Sequence, residues 1–171
     1  METLGPPLST TAWAPEFVAQ TLEILPVLMR DGDLFWLKPI HGDSLRIGLA
    51  PSSSPNDEVI AAMSWYPLTP QVVHSTSWRS EEGRVILTYV AVVGAPEKMP
   101  PGSLEELPVG RAELARGEAM AAPRAIGVAA VLEHALRHLA WLLRDDPAIA
   151  GALAAWHDAL AVYVPEPFRA L

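Results

Sequence analysis

The sequence predicts an α+β fold, in which about five strands form a mostly antiparallel sheet packed against an N-terminal helix and a C-terminal αα-hairpin. Three observations support this class: short apolar runs separated by Gly, Pro and Asp turns, a hairpin near the middle of the chain, and helical periodicity near its end. The connections between the predicted strands are short. This favours antiparallel pairing, because parallel strands need long crossovers.

The clearest strand signal is a hairpin over residues 71–93. Its second strand, Val85 to Val93, is apolar on both faces, so we expect it inside the sheet with both faces covered. Its first strand, Gln71 to Arg79, is unusually polar, and a Ser-Glu-Glu-Gly turn joins the two. The other predicted strands are 34–38, 44–50 and 59–66.

Three helices complete the predicted fold. Apolar side chains recur near the helical period over residues 15–30, although Pro26 would kink or end this helix. Residues 125–144 carry a strong helical pattern. Asp146 and Pro147 then suit the N-cap and first position of a second helix, which runs to about Tyr163. These last two helices form the expected αα-hairpin.

The chain of 171 residues is long enough for one domain with its own core, and we expect a single domain over 1–171. Residues 1–13, rich in Pro, Ser and Thr, predict a loose N-terminal arm. Residues 94–124 predict a long connection with short helical pieces, since Ser103 to Glu106 has capping-box spacing. Such long connections either pack over the surface of the domain or form a functional lid.

Composition excludes several classes of function. The net charge of −8 argues against nucleic acid or an anionic membrane as a partner, because both attract basic patches. The absence of cysteine excludes disulfides, thiol catalysis and Cys-ligated zinc. With no secretory signal and no apolar run of about 18 residues, a cytoplasmic location is expected. Half the residues are hydrophobic and only 19% are charged, which favours either a generous core or a homodimer.

The polar strand of the hairpin supplies candidate ligand-binding residues. The turn fits a loop of two or three residues, whereas a loop of four would set Arg79 against Arg84 and is disfavoured by like-charge repulsion. Regular alternation places His74, Thr76 and Trp78 on one face in each case. The other face carries Ser75, Ser77 and Arg79. An indole wall with orienting His and Thr groups can line a small-molecule pocket, with Tyr89 contributed by the facing strand. The simpler interpretation is that this polar strand lies at the edge of the sheet with one face exposed to solvent.

The penultimate helix carries two further candidates. His134 and His138 are four residues apart, the spacing that lets two imidazoles on one helical face bind one metal ion. A third ligand is required, from Asp145, His157 or Asp158. The simpler alternative is a solvated polar face on which Glu133 and Arg137 form an ion pair. Trp141 falls in the same stripe, and it would lie under a loop, stack on Arg137 or contact a second subunit.

No catalytic motif is present: the metalloprotease motif lacks its Glu at Ala135, and no G-x-S-x-G elbow, phosphate loop or dinucleotide fingerprint occurs. No cofactor is predicted. The expected function is therefore non-catalytic binding of a small ligand or a protein partner. The alternative is a metal-assisted or acid/base hydrolase that uses His134 and His138.

Overall fold

A mixed sheet forms the centre of the protein in a computed structural model that describes residues 19–99, 101–110, 127–167 and 169–170. Its strands are β1 (Gln20–Arg30), β2 (Asp33–Pro39), β3 (Leu45–Leu49), β4 (Pro70–Glu81), β5 (Arg84–Val93), β6 (Leu104–Pro108) and β7 (Arg169–Ala170). The helices are α1 (Pro55–Trp65), α2 (Val128–Asp145), α3 (Pro147–Ala152) and α4 (His157–Leu160), with a 3₁₀ turn at Ala154–Trp156.

The strand order is β6-β2-β1-β5-β4-β7, with β3 also paired to β1. The pairs β1–β5 and β4–β7 are parallel, and the pairs β1–β2, β1–β3, β2–β6 and β4–β5 are antiparallel. The predicted α+β class and the mostly antiparallel sheet are confirmed. The described strands number seven: four of the five expected strands are present, and β1, β6 and β7 are additional.

The predicted N-terminal helix is wrong, since Gln20–Arg30 is the strand β1. A strand that is covered on both faces is apolar on both, so its residues also satisfy a helical period. Pro26 ends no helix here. One edge of β1 pairs first with β3, up to Ile24, and then with β2, from Val27 onward. Pro26 lies in the gap between these two pairings, where its missing N–H leaves no hydrogen bond unmade.

Two further elements differ from expectation. The predicted strand 59–66 is part of α1, which begins at Pro55, has acidic residues in its first turn, and buries Val59 and Met63 one turn apart. The predicted short helix near residue 104 is instead the strand β6, which pairs with β2. The predicted N-terminal arm and residues 111–124 of the predicted connection lie outside the described residues.

The predicted hairpin is confirmed, with β5 inside the sheet between β1 and β4. Its loop has two residues, Glu82 and Gly83, with φ values of 49° and 76°. Positive φ at both positions is the requirement of a tight hairpin turn, and glycine meets it without a steric cost.

The C-terminal helices follow the prediction in part. α2 is confirmed, and Asp146 caps α3 as expected, because its Oδ1 accepts hydrogen bonds from the backbone N–H groups of Ala148 at 2.8 Å and Ile149 at 3.3 Å. The predicted second helix is not continuous to Tyr163. It is divided into α3, the 3₁₀ turn and α4.

The sheet has a core on each face. On one face, the side chains of Leu25, Val27, Val90 and Val92 pack against α2 and the segments that follow it. On the other face, Leu22, Ile24, Ala91 and Val93 pack against α1. We call these the α2 face and the α1 face. Within the described ranges, no helix is long and apolar enough to cross a membrane.

The expected homodimer stays a prediction. Some apolar side chains are exposed on the described surface, and Trp65 at the end of α1 is 85% exposed. Single exposed apolar residues are common on monomers, so this exposure does not by itself indicate an interface.

We expect Asp146→Ala to lower the free energy of unfolding by about 1 kcal/mol, because two backbone N–H groups at the start of α3 lose their acceptor. Urea unfolding monitored by circular dichroism measures this change. Asp145→Ala is the matched control: Asp145 is exposed at the end of α2, and its removal should change stability by less than about 0.5 kcal/mol. Equal effects of the two substitutions would contradict the capping role.

Candidate functional site

A β-bulge in β4 decides which of its side chains face α2. The pairing of β4 with β5 shifts between Ser75 and Ser77, which makes Thr76 an extra residue in the strand. Alternation of side chains therefore changes by one at this point. His74 lies on the α2 face before the bulge, and Arg79 lies on the same face after it.

The expected division of this strand into two faces is therefore wrong. It placed His74, Thr76 and Trp78 together, but alternation holds only for a strand without a bulge. Trp78 is paired with Leu87, which packs on the α1 face, and its side chain is 43% exposed. Trp78 and His74 consequently belong to opposite faces of the sheet.

The structure brings together only some of the five residues predicted to bind a ligand. His74, Thr76 and Trp141 lie where β4 meets α2. Tyr89 packs against the core on the α1 face, and Trp78 lies on that face too. Ligand binding by these residues stays a prediction.

Three histidines gather at the contact of β4 with α2. The rings of His74 and His138 are stacked, with centroids 5.0 Å apart and planes at 22°. The Trp141 ring is 5.6 Å from that of His138. His134 and His138 are each only 1% exposed, so the stripe expected to be a solvated face of α2 is largely buried.

His134 connects α2 to two other segments. Its Nε2 lies 3.1 Å from the Thr76 carbonyl oxygen, and this nitrogen carries the proton because a carbonyl can only accept. Its Nδ1 lies 3.5 Å from Oε2 of Glu166. Arg137 pairs with Glu133 at 3.3 Å, as predicted, and with Glu166 at 3.4 Å. The segment after α4 is thus held on α2 by charged groups.

The metal site predicted at His134 and His138 gains no third ligand from the described ranges, where no three His, Asp or Glu side chains are placed to hold a metal ion. One candidate, His157, is exposed and lies 3.5 Å from its neighbour Asp158. Neither ring nitrogen of the buried His138 makes a hydrogen bond of regular geometry with the described residues, although the backbone of Glu166 and Pro167 lies nearby. Metal binding by the histidine pair stays a prediction.

Beyond the histidines, the α2 face becomes polar. Registers across β3, β1, β5 and β4 align the side chains of this region in rows. One row consists of Arg46, Glu23, Thr88 and Ser77. The next row consists of Gly48, Thr21, Ile86 and Arg79.

An ion-pair network occupies these rows. Arg79 is 5% exposed, and its Nη2 donates to Oε2 of the fully buried Glu23 at 2.5 Å, while Nη1 donates to Thr88 Oγ1 at 3.2 Å. Glu81 accepts from Arg79 at 3.3 Å and from both Nη atoms of Arg46 at 3.1 and 3.2 Å. Arg46 also lies 3.8 Å from Glu23. The two arginines and two glutamates form a closed, neutral ring.

An open cleft of about 550 Å³ lies over the second of these rows. Small or apolar residues line part of it, namely Gly48, Thr21, Ile47 and Ile86, although the side chain of Ile47 packs on the α1 face. Its charged lining consists of Arg46, Glu81, Glu82 and Arg84. Since Glu82 and Arg84 are exposed, the cleft opens to solvent beside the hairpin turn.

None of these charged cleft residues is predicted from the sequence as a site. One signal is present: Glu23 interrupts the otherwise apolar stretch 22–28. In a strand covered on both faces, such a carboxylate requires a buried cationic partner. The helical interpretation of this segment concealed that requirement, because a helix can turn a charged residue toward solvent.

We expect Glu23→Gln to lower the free energy of unfolding by about 3 kcal/mol, since it leaves the buried guanidinium of Arg79 without its nearest counter-charge. Chemical denaturation at neutral pH measures the loss. Glu105→Gln is the matched control, because Glu105 is an exposed residue of β6. The free energy of unfolding should change there by less than about 0.5 kcal/mol.

The double variant Glu23→Leu/Arg79→Met distinguishes the effect of an unpaired buried charge on stability from the effect of changed packing. Replacing a whole buried ion pair by apolar side chains is often neutral, so the double variant should be more stable than Glu23→Gln. A single variant that costs less than about 1 kcal/mol would show that Arg79 does not depend on Glu23.

Acid should weaken the fold through the histidine cluster. Burial, followed by the proximity of His74 and His134, lowers the pKa of His138 from 6.5 to about 4, against a smaller opposite effect of nearby backbone groups. Between these two values the unfolded chain binds a proton that the folded chain does not. Stability is therefore complete above pH 6.5, falls as the pH drops toward 4 by about 3 kcal/mol, and loses nothing further from this group below 4.

Urea unfolding of the wild type and His138→Phe across this pH range measures the contribution. The difference in stability between the two proteins should change in favour of the variant as the pH falls. His157→Phe alters an exposed histidine and should keep the wild-type pH dependence. Parallel curves for the wild type and His138→Phe would refute this role of His138.

No protein-family model and no curated protein matches the chain. Among solved structures, the chain is similar to the solution structure of the E. coli ORF135 protein, with 15% sequence identity and a TM-score of 0.30. This similarity covers 52% of this chain and 67% of that one. At this level it supports no statement about activity, ligands or partners.

Proposed function

We propose that the protein binds a small polar molecule, without catalysis, in the cleft beside the β4–β5 turn. The cleft itself carries this proposal: its volume of about 550 Å³ lies within the range of roughly 300–1,000 Å³ that is usual for small-molecule sites. Its lining combines the apolar side chain of Ile86 with charged groups that can orient a ligand.

Gly48 supports a binding role. A Cβ added there meets nothing within 4 Å, and its φ lies outside the positive range that favours glycine, so neither packing nor backbone geometry requires glycine. Glycine inside a strand lowers stability, and it often marks a place where a ligand approaches the backbone. The missing side chain leaves open space on the lining of the cleft.

The ion-pair network supports the same role, because it fixes the charged walls before a ligand arrives. Arg46 and Glu81 are joined by two hydrogen bonds, and Glu81 is also held by the buried Arg79. Side chains that are already ordered lose less conformational entropy on binding. A fixed guanidinium can therefore contribute more of its interaction energy to affinity.

The acidity of Glu81 favours binding over acid/base catalysis. Its hydrogen bonds from Arg46, together with the positive charges of Arg46 and Arg79, hold the pKa of this carboxyl below its usual range, against a smaller opposite effect of burial. A carboxylate with a low pKa is a weak proton acceptor at neutral pH. Glu81 suits the recognition of a donor better than the removal of a proton.

We expect Gly48→Leu to abolish ligand binding, because a leucine side chain would extend into the cleft from a Cβ position that has no other atom within 4 Å. Thermal unfolding is measured for the wild type and the variant with a panel of amino acids, nucleosides, sugars and carboxylic acids. A compound at ten times its Kd should stabilise the wild type by about 1.4 kcal/mol, or about 3–5 °C in Tm.

Gly48→Ala is the matched control, since it adds one methyl group and leaves most of the cleft open. It should respond to the same compounds as the wild type. The unliganded Gly48→Leu protein should be as stable as the wild type, which separates loss of binding from loss of fold. If no compound stabilises the wild type more than Gly48→Leu, the proposed function is wrong.

A further inference from the structure

We infer that the ligand of this cleft is a zwitterion of the amino-acid type, with a carboxylate, an amino group and an aliphatic side chain. This inference rests on the proposed function and specifies its ligand. It follows from the balance of charge in the lining, from two charged groups that have no partner among the described residues, and from the position of the apolar side chain of Ile86.

The charges that line the cleft cancel. Two are positive, on Arg46 and Arg84, and two are negative, on Glu81 and Glu82. A purely anionic ligand would face both carboxylates and a chain of net charge −8, whereas a purely cationic ligand would face both guanidinium groups. A ligand with one charge of each sign meets a complementary group in either direction.

Two of these four groups are already bound to each other. Arg46 and Glu81 form a bidentate pair. By contrast, Arg84 and Glu82 have no hydrogen bond or ion pair with any residue in the described ranges, although both line the cleft. The cleft therefore offers one uncommitted guanidinium for a carboxylate and one uncommitted carboxylate for an amino group.

The hairpin turn holds these two groups at one end of the cleft. Glu82 and Arg84 flank Gly83, and Glu82 and Gly83 both have positive φ in the two-residue loop. The amino and carboxyl groups of an α-amino acid lie close together, because one carbon atom carries both. A ligand at this end of the cleft can therefore present its carboxylate to Arg84 and its amino group to Glu82.

The apolar part of the cleft accounts for the rest of the ligand. Ile86 lines the cleft on the α2 face and is only 2% exposed, whereas the side chain of Ile47 packs in the core on the α1 face. A ligand with an aliphatic side chain that packs on Ile86 would remove its own apolar area from water. The adjacent Thr21 hydroxyl can donate or accept one further hydrogen bond.

Three probes with the same side chain test the inference by isothermal titration calorimetry. L-leucine carries both charges, N-acetyl-L-leucine lacks the positive one, and L-leucinamide lacks the negative one. L-leucine should bind the full-length protein at least about tenfold more tightly than either blocked form. Equal or tighter binding of a blocked form would overturn the inference while leaving a ligand-binding cleft in place.

Substitutions at the turn assign each charge to its residue. Arg84→Gln should weaken L-leucine at least about fivefold and leave L-leucinamide unchanged, because only the former has a carboxylate. Glu82→Gln should weaken L-leucine and leave N-acetyl-L-leucine unchanged. Arg144→Gln, at an exposed arginine near the end of α2, is the matched control and should change nothing.

The outcomes distinguish this inference from the proposed function. If no aliphatic amino acid binds while a compound of another class stabilises the wild type but not Gly48→Leu, the zwitterion inference is wrong and the cleft still binds a ligand. If L-leucine binds Gly48→Leu as tightly as the wild type, it binds elsewhere, and the inference is wrong. If no compound is sensitive to Gly48→Leu, both proposals are wrong.

Discussion

The bulge at Thr76 is the constraint on which both polar regions of this protein depend. It adds one residue to β4, so that side chains on either side of it share a face that regular alternation would have divided between them. His74 can then stack on α2, and Arg79 can reach Glu23 on β1. Without the extra residue, Arg79 would point to the α1 face, and the carboxylate of Glu23 would be buried without its counter-charge. The bulge thus makes a charged residue tolerable in the most buried strand of the sheet.

The free-energy cost of burying polar groups is offset differently in the two regions. Around Glu23, opposite charges and hydrogen bonds compensate one another, which stabilises ionised groups away from water. Around His138, burial and neighbouring histidines keep the ring neutral at physiological pH. The first arrangement opens onto a cleft with fixed charges. In the second, His134 and His138 are buried between α2 and β4, and the lowered pKa of His138 predicts that acid weakens the fold.

Sequence patterns predicted what local chemistry determines. The hairpin turn at Gly83, the cap at Asp146 and the amphipathic pattern of α2 each depend on residues close together in the chain. The patterns failed where partners distant in the chain determine the secondary structure. The apolar residues of β1 fit a helical period, and only the pairing of this segment with β3 and β5 makes it a strand. The histidines of α2 were recognised as a group, but their burial depends on β4. The cleft could not be foreseen, since registers across the three strands β3, β1 and β5 are needed to bring Gly48 and Arg84 to one place.

The central position of β1 also affects how the chain folds during synthesis. Its parallel partner β5 pairs Gln20 with Val85, so this edge of the first described strand stays open until most of the sheet has been made. Contacts between distant residues close slowly, because the entropy of the intervening loop is lost first. β3 can cover the opposite edge much earlier, through the pairing of Ile24 with Leu45. During synthesis on the ribosome, β1 is therefore an apolar strand with one unpaired edge until β5 emerges. The risk of aggregation through that edge increases with the time this takes.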